Sequence, residues 1–457
     1  MIENSDLSRF KDALHAWAKA AITHLGTRSN AVDLHMRHLW SRDATSSNVY
    51  RHMQTEEKRW TREAIQELTA LSQFQDLAHA SQENPVVSDH VERLVGTPLG
   101  ASHCTLLTLA LSTLPTPGEI ESGSFDDFEA RWQRLADFLT TQQLKYKTLH
   151  LLHGLTISGQ EEIELEPGLT IDRLTNRDIE QAMGLGLIKP ALPSSYPLSI
   201  LSESQLYAIK SSIQLPKVTS PPDGSADGDP KAVEAAFRQL AQGNEAAERV
   251  FHCMSLLTGD RIGLAGTMTT ADSWLPLGSG VHFTSSPTPS SIPPKWPVDC
   301  SEAERLKDIW SRLKRPENKA ILLPIRRLSF ASQRKLDQDR MLDLFIAAES
   351  FYLTEIGSKD KGELKYRLAI RAAAWFDKEI TEWTKRDVFK HMKTGYDLRS
   401  TIAHGGECRP KDIKIGEEQT SLSEFASTTE QILRAALIKA INRSDGPIHW
   451  DDLVIPE

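Results

Sequence analysis

Tyr396-Asp397-Leu398-Arg399-Ser400-Thr401-Ile402-Ala403-His404-Gly405-Gly406 is the stretch that decides how the last third of this chain is read. An arginine and a histidine stand five positions apart, and two glycines follow at once. Glycines directly after a helical run stop a helix, so the spacing predicts a helix from about Lys385 to Ala403, ending at His404. A histidine in a last turn lies where the helix dipole favours its charged form. His404 is suited to moving protons near neutral pH, and Arg399 to offsetting negative charge on phosphorus. At about 100° per residue the two lie roughly 140° apart around one helix. They converge only if a second helix brings them together. The structural alternative pairs Arg399 with a carboxylate such as Glu349 and leaves His404 to cap its own helix.

The flanking sequence is helical in pattern. Met341, Leu344, Phe345, Ala348 and Tyr352 form one apolar stripe, and Leu364, Leu368, Ala372 and Trp375 form a second. Ser301 with Glu304, and Ser421 with Glu424, have capping-box spacing and predict the starts of two more helices. The final helix carries Leu422, Phe425, Thr429, Ile432, Leu433, Ala436 and Ile441. Four or five such helices suffice for a bundle with its own core.

Three segments in order carry a family resemblance: Leu342 to Leu353 (LDLFIAAESFYL), Leu364 to Ala373 (LKYRLAIRAA) and YDLRSTIAHGG. Together they resemble the Apea-like branch of the HEPN domains, whose signature R-x4-6-H is matched by Arg399 and His404. Ala348 and Ser350 replace bulkier residues of the family's first helix. The resemblance covers about residues 300–445. It implies an all-α helical domain that pairs as a homodimer, and in many relatives a metal-independent endoribonuclease with a site shared across that dimer. His404 would then be the acid/base group, Arg399 the transition-state clamp and Ser400 an auxiliary polar residue. Chains of this layout resemble toxin-like or anti-phage defence effectors. A non-catalytic module for nucleotide or RNA binding, or for dimerisation, is the alternative.

That chemistry asks for no metal or cofactor, because RNA supplies the 2′-OH nucleophile. One group accepts its proton, another protonates the leaving 5′-oxygen, and a cation offsets the phosphorane charge. The expected products are a 2′,3′-cyclic phosphate and a 5′-hydroxyl. Glu349, Arg367, Arg371 and Tyr396 are further candidates around the site. Arg367 and Arg371, one turn apart, either track phosphates or form ion pairs inside the bundle. Tyr396 is read as a packing residue.

The 457 residues predict two or three domains. A hydrophobic content of 39% and a charged content of 25% describe an ordinary globular chain. No run of eighteen apolar residues occurs and Met1 to Asp6 lacks a signal pattern, so a cytoplasmic location away from membranes is expected. Cys104, Cys253, Cys300 and Cys408 are scattered, which argues against a zinc knuckle or a disulfide framework. A net charge of −9 excludes a dedicated nucleic-acid coat. Residues 360–414 nevertheless carry 13 Lys and Arg against 9 Asp and Glu, +4 on a remainder of −13. Focused phosphate binding and a plain solvated helix face explain that surplus equally well.

The expected fold class is mainly α, with a mixed α/β N-terminal portion and a C-terminal all-α bundle. The expected division is a helical region over 1–115, a mixed α/β region over 116–297 and the helical domain over 298–457. Residues 1–80 read as helical from Leu14, Trp17, Ala18 and Ile22. Ser124 to Thr140 reads as a helix opening on Asp126, Asp127 and Glu129. Lys145–Leu155, Ile163–Leu165 and Leu169–Ile171 carry strand signals, broken by Ser158-Gly159 and Pro167-Gly168. Asn176–Met183 and Ala232–Leu257 read as helices, and Lys217–Pro230 and Ser273–Pro297 as loops. His35 and His38, with His24 and His52 nearby, have metal-like spacing but no completing ligand, so they read as solvated helix residues. His150 and His153 fall on opposite faces of a strand. Gly184-Leu185-Gly186 lacks a third glycine, and neither G-K-[ST] nor G-x-S-x-G occurs.

Overall fold

The computed structural model describes residues 7–454 apart from 29, 43–47, 98–99, 123–127, 159–161, 189–199, 203–205, 221–229, 260–261, 273, 277–281, 286–295, 355–362, 378–382, 417 and 444–447. The chain is mainly helical with a substantial share of strand. It divides into two compact units that interleave in sequence, whereas the sequence reading drew consecutive segments. Met1–Leu151, Gly168–Glu245 and Ala265–Pro287 form one unit; Leu152–Pro167, Ala246–Leu264 and Thr288–Glu457 form the other.

The first unit begins with α1 (Ser8–Gly26), which buries Phe10, Leu14, Trp17, Ala18, Ala21 and Leu25 on one face. Those positions follow the 3.6-residue period, and the Trp17 indole donates to the Leu68 carbonyl at 3.3 Å. The helical expectation over 1–80 holds for α1, for Arg62–Glu67 and from Ser72 on, but fails between, where Val32–Arg42 and Asn48–Trp60 form an antiparallel pair of strands. Val32, Leu34 and Met36 alternate with Asp33, His35 and Arg37, a period of two that favours a strand. His35, His38 and His52 therefore stand on strands rather than a helix, and the side chains of 34–57 lie outside the described residues. Helices α2 (Ser72–Glu83) and α3 (Phe128–Thr140) follow; Asp126 and Asp127, expected at the start of α3, lie outside the described residues.

The unit's main sheet runs in the order His282–Ser285, Gly263–Ala271, Gln143–His153, Tyr207–Pro216, Leu169–Arg173. Tyr207–Pro216 is antiparallel to both neighbours, with Ala208 opposite Leu151 and Ile209 opposite Ile171. Gly168 adopts φ +80° in the Pro167-Gly168 turn, a backbone region that glycine enters without a side-chain clash. Helix α4 (Asn176–Gly184) opens on a Thr175/Asp178 capping box. Helix α5 (Pro230–Thr258) is one continuous helix, as the apolar stripe predicts, and both units draw residues from it. The two expected loops are only partly loops. Val218–Ser220, His282–Ser285 and Trp296–Val298 are short strands, while 221–229, 277–281 and 286–295 lie outside the described residues.

The second unit is helical apart from small ladders. Its helices are α6 (Cys300–Leu313), α7 (Leu322–Ser332), α8 (Asp337–Tyr352), α9 (Leu364–Trp375), α10 (Lys385–Ala403), α11 (Leu422–Asn442) and α12 (Trp450–Val454). Helix α6 is capped by Asp299, which accepts from the Ser301 and Glu302 amides, instead of by the expected Ser301/Glu304 box. The Ser421/Glu424 box does open α11. Helix α10 spans the predicted Lys385–Ala403 and opens on a Thr384/Asp387 box. Strands depart from an all-α expectation: Glu162–Glu166, a parallel pairing of Leu155–Ile157 with Trp296–Val298, and the short ladder Lys414–Ile415 with Glu418–Gln419.

Helix α8 is the spine of this unit and packs against α7, α9, α10 and α11. Met341, Leu344, Phe345, Ala348 and Tyr352 of its stripe are all buried. Trp450 of α12 sits edge-on to Phe351, Tyr352 and Trp375, with centroids 5.3–5.6 Å away. Two buried carboxylates tie the helices together. Asp343 accepts from Arg327 at 3.0 Å and Arg334 at 2.7 Å, and Glu430 pairs with Arg340 at 2.6 Å and with Arg434. Both arginines on Asp343 reach solvent at about a third to two-fifths exposure and can hydrate if released. Asp343→Ala is therefore expected to lower the chemical-denaturation stability by about 1–3 kcal/mol rather than to prevent folding.

Candidate functional site

Helix α10 ends in a Schellman motif at the histidine. The Gly406 amide donates to the Thr401 carbonyl at 2.8 Å and the Gly405 amide to Ile402 at 3.0 Å, with Gly405 at φ +75°. His404 is the C-cap residue and is exposed. Among the described residues its side chain makes no hydrogen bond or ion pair. The sequence explains this geometry directly, because glycine is the residue that takes a left-handed φ without a Cβ clash.

Arg399, one turn earlier, faces inward instead. Its Nη2 lies 3.3 Å from Oε2 of Glu349 on α8, and the two side chains are 28% and 27% exposed. Burial raises the Glu349 carboxyl above its ordinary range even though Arg399 beside it pulls the other way. Tyr396 is half-buried on the same helix; burial and then the Glu349 charge push its phenol up. Ser400 is half-buried. Arg399, Tyr396 and Glu349 thus form one small cluster between α8 and α10, with Ser400 next to Arg399 along the helix. No contact within one chain brings His404 to Arg399 among the described residues.

The two arginines of α9 separate. Arg371 is 5% exposed, donates to the Tyr352 carbonyl at 2.8 Å and lies 5.9 Å from the Trp450 ring. That position belongs to the bundle interior and is closed to a phosphate. Arg367 is half-buried and has partners of its own.

The sequence reading does not single out His391, in the middle of α10. It is 2% exposed, stacks on Phe425 at 4.0 Å, and has Nε2 2.8 Å from Thr429 Oγ1. Burial lowers its pKa to about 3, so it stays neutral. The other buried histidines behave alike. On strand Gln143–His153, His150 lies 3.2 Å from Thr267 Oγ1 and burial lowers it to about 4, while burial also lowers His153. His24 is within 3.2 Å of Glu67. Cys104 and Cys253 are buried thiols that burial pushes up to about 12, and all four cysteines are free. Among the described residues no three His, Cys, Asp or Glu gather as a metal-ligand group, and no helix is long and apolar enough to cross a membrane.

What the arrangement offers is an exposed imidazole at a helix end and, a turn away, a guanidinium held by a carboxylate. No family model, no curated protein and no solved structure matches the chain.

Proposed function

We propose that this chain is a metal-independent endoribonuclease of the HEPN type. It works as a homodimer through the α6–α12 unit, as a toxin-like or anti-phage effector regulated by its N-terminal region. The observation that carries this reading is the contrast between the two motif residues. His404 is exposed and, among the described residues, unengaged, whereas Arg399 is held half-buried by Glu349. A proton-transfer group profits from being free, and a charge-stabilising group from being fixed.

In the reaction, a base takes the 2′-OH proton as that oxygen attacks phosphorus. The phosphorane collapses as the P–O5′ bond breaks, and the leaving 5′-oxygen receives a proton from an acid. One His404 from each protomer fills the two proton-transfer roles, and Arg399 lies against the non-bridging oxygens. Pairing two copies supplies the convergence that the single chain lacks.

The test is cleavage of an RNA oligonucleotide by the purified protein in EDTA with mapped ends. A 2′,3′-cyclic phosphate with a 5′-hydroxyl is expected, and a 3′-hydroxyl product would overturn the mechanism. A non-catalytic binding or dimerisation module is the second reading. It is favoured by the fact that Arg399 is already paired within its own chain with Glu349. In that case RNA binds and is recovered intact, and His404→Ala leaves binding unchanged.

A further inference from the structure

Glu349 and Asp343 stand on the same helix, and each faces arginine, yet they are bonded differently. Asp343 is 3% exposed and both its oxygens are engaged at 2.7 and 3.0 Å. Glu349 makes a single 3.3 Å contact to Arg399 Nη2, while its Oε1 is buried without a hydrogen-bond partner. Arg399 Nε is likewise buried and unpartnered. Nη1 is the guanidinium nitrogen that is neither bonded nor buried among the described residues. The pair is not closed as a two-bonded fork. It fixes the arginine at Nη2 and leaves Nη1 available to another acceptor.

The neighbouring charges are committed elsewhere. On α7, Arg327 and Arg334 hold Asp343; on α11, Glu430 holds Arg340 and Arg434; on α9, Arg371 holds the Tyr352 carbonyl, and Arg367 has its own partners. Arg399 and Tyr396, both from α10, are the groups whose charge couples to Glu349.

We propose that Glu349 is a positioning residue, which aims the Arg399 guanidinium so that Nη1 meets a non-bridging phosphate oxygen of the substrate. This rests on the ribonuclease reading of the same site. Its thermodynamic signature is a Glu349 carboxyl whose protonated form the fold favours. Burial outweighs Arg399 in setting the Glu349 carboxyl, so the folded pKa lies above the unfolded one. The folded state then holds the proton more tightly. The resulting stabilisation is complete below the ordinary carboxylate pKa and is lost as pH rises through the raised folded value.

The experiment compares full-length wild type with Glu349→Gln and Glu349→Asp for RNA cleavage against pH, and for thermal unfolding. Glu349→Gln is expected to lower kcat roughly 10²-fold, the order that misplacing a reacting group produces. KM should change little, and the melting temperature at neutral pH should stay or rise. Wild-type kcat should fall as pH drops through the Glu349 carboxyl, and Glu349→Gln should lack that limb. Glu349→Asp, which keeps the charge on a shorter stem, should recover part of the loss. Wild-type kcat in Glu349→Gln, or a loss matched by a fall in melting temperature, would overturn the proposal. If the wild type cleaves no RNA, the ribonuclease reading falls by itself. A melting cycle of Glu349→Gln with Arg399→Gln then tests by itself whether the two side chains are coupled, and strict additivity overturns the positioning.

Discussion

RNA cleavage should disappear in His404→Ala and in Arg399→Ala, with each losing on the order of 10²–10⁴-fold in kcat. The two losses have different physical origins, and the stability data should separate them from misfolding. His404 is exposed and its side chain makes no hydrogen bond among the described residues, so its removal leaves the Schellman turn intact. The turn is built by the backbones of Thr401, Ile402, Gly405 and Gly406, none of which needs the imidazole. His404→Ala should therefore unfold at the wild-type denaturant midpoint. Arg399→Ala removes a pair that is about a quarter exposed on both sides, worth only ~0–1 kcal/mol. It also leaves the Glu349 carboxylate without its neighbouring cation, which raises that carboxyl further. Mixing wild type with His404→Ala tests the shared site. Since the reaction takes one His404 from each protomer, mixed dimers should be inactive and the rate should fall below the share of wild-type chains. Full activity in either single variant would place the chemistry elsewhere on the chain.

The parts of the fold legible in the sequence are those where local chemistry decides. The span of α10 follows from a periodic run that ends on Gly405-Gly406, and α11 from the Ser421/Glu424 box. The Thr384/Asp387 box that opens α10 was equally present as a T-x-x-D signal. The strands Val32–Arg42 and Asn48–Trp60 escape a reading that extends the strong helical stripe of α1 past Gly26, where the period changes from 3.6 to two. Asp299 takes the cap position instead of Ser301 because a cap depends on backbone geometry, and polar residues two positions apart compete for it. The interleaving of the two units rests on pairings such as Leu155–Ile157 with Trp296–Val298, about 140 residues apart, which no local pattern encodes. At the candidate site the Glu349–Arg399 pair is foreseeable as a charge match. The burial of His391 is not, because burial depends on which helix covers which face.

Gly395→Ala should be among the most damaging single substitutions in the α6–α12 unit. A Cβ at Gly395 would lie 2.2 Å from Cζ and 2.6 Å from Cε2 of Phe345, and 3.0 Å from Cε1 of Phe425. Both rings are fully buried, so neither can swing into solvent to make room. Helices α8, α10 and α11 meet at this point, and the missing side chain lets α10 approach α8 closely. Overpacking of this kind typically costs about 1–3 kcal/mol, and three interlocked helices place the change at the upper end. Displacing Phe425 also disturbs the His391 ring stacked 4.0 Å from it. A further consequence follows from register. Phe345 and Glu349 are one turn apart on α8, and Gly395 and Arg399 are one turn apart on α10, so the approach at the glycine sets the spacing of the 3.3 Å ion pair. Gly395→Ala should thus lower both the denaturation midpoint and the activity of whatever remains folded. Gly26→Ala is the control, since a Cβ there meets nothing within 4 Å and helix propensity alone should stabilise by ~0.5–1 kcal/mol. Adding Phe345→Leu to Gly395→Ala should recover part of the loss, because the smaller side chain vacates the clashing volume. Equal midpoints for Gly395→Ala and wild type would show that α8 and α10 are not held at this separation, and the account of the Arg399 position would fall with it.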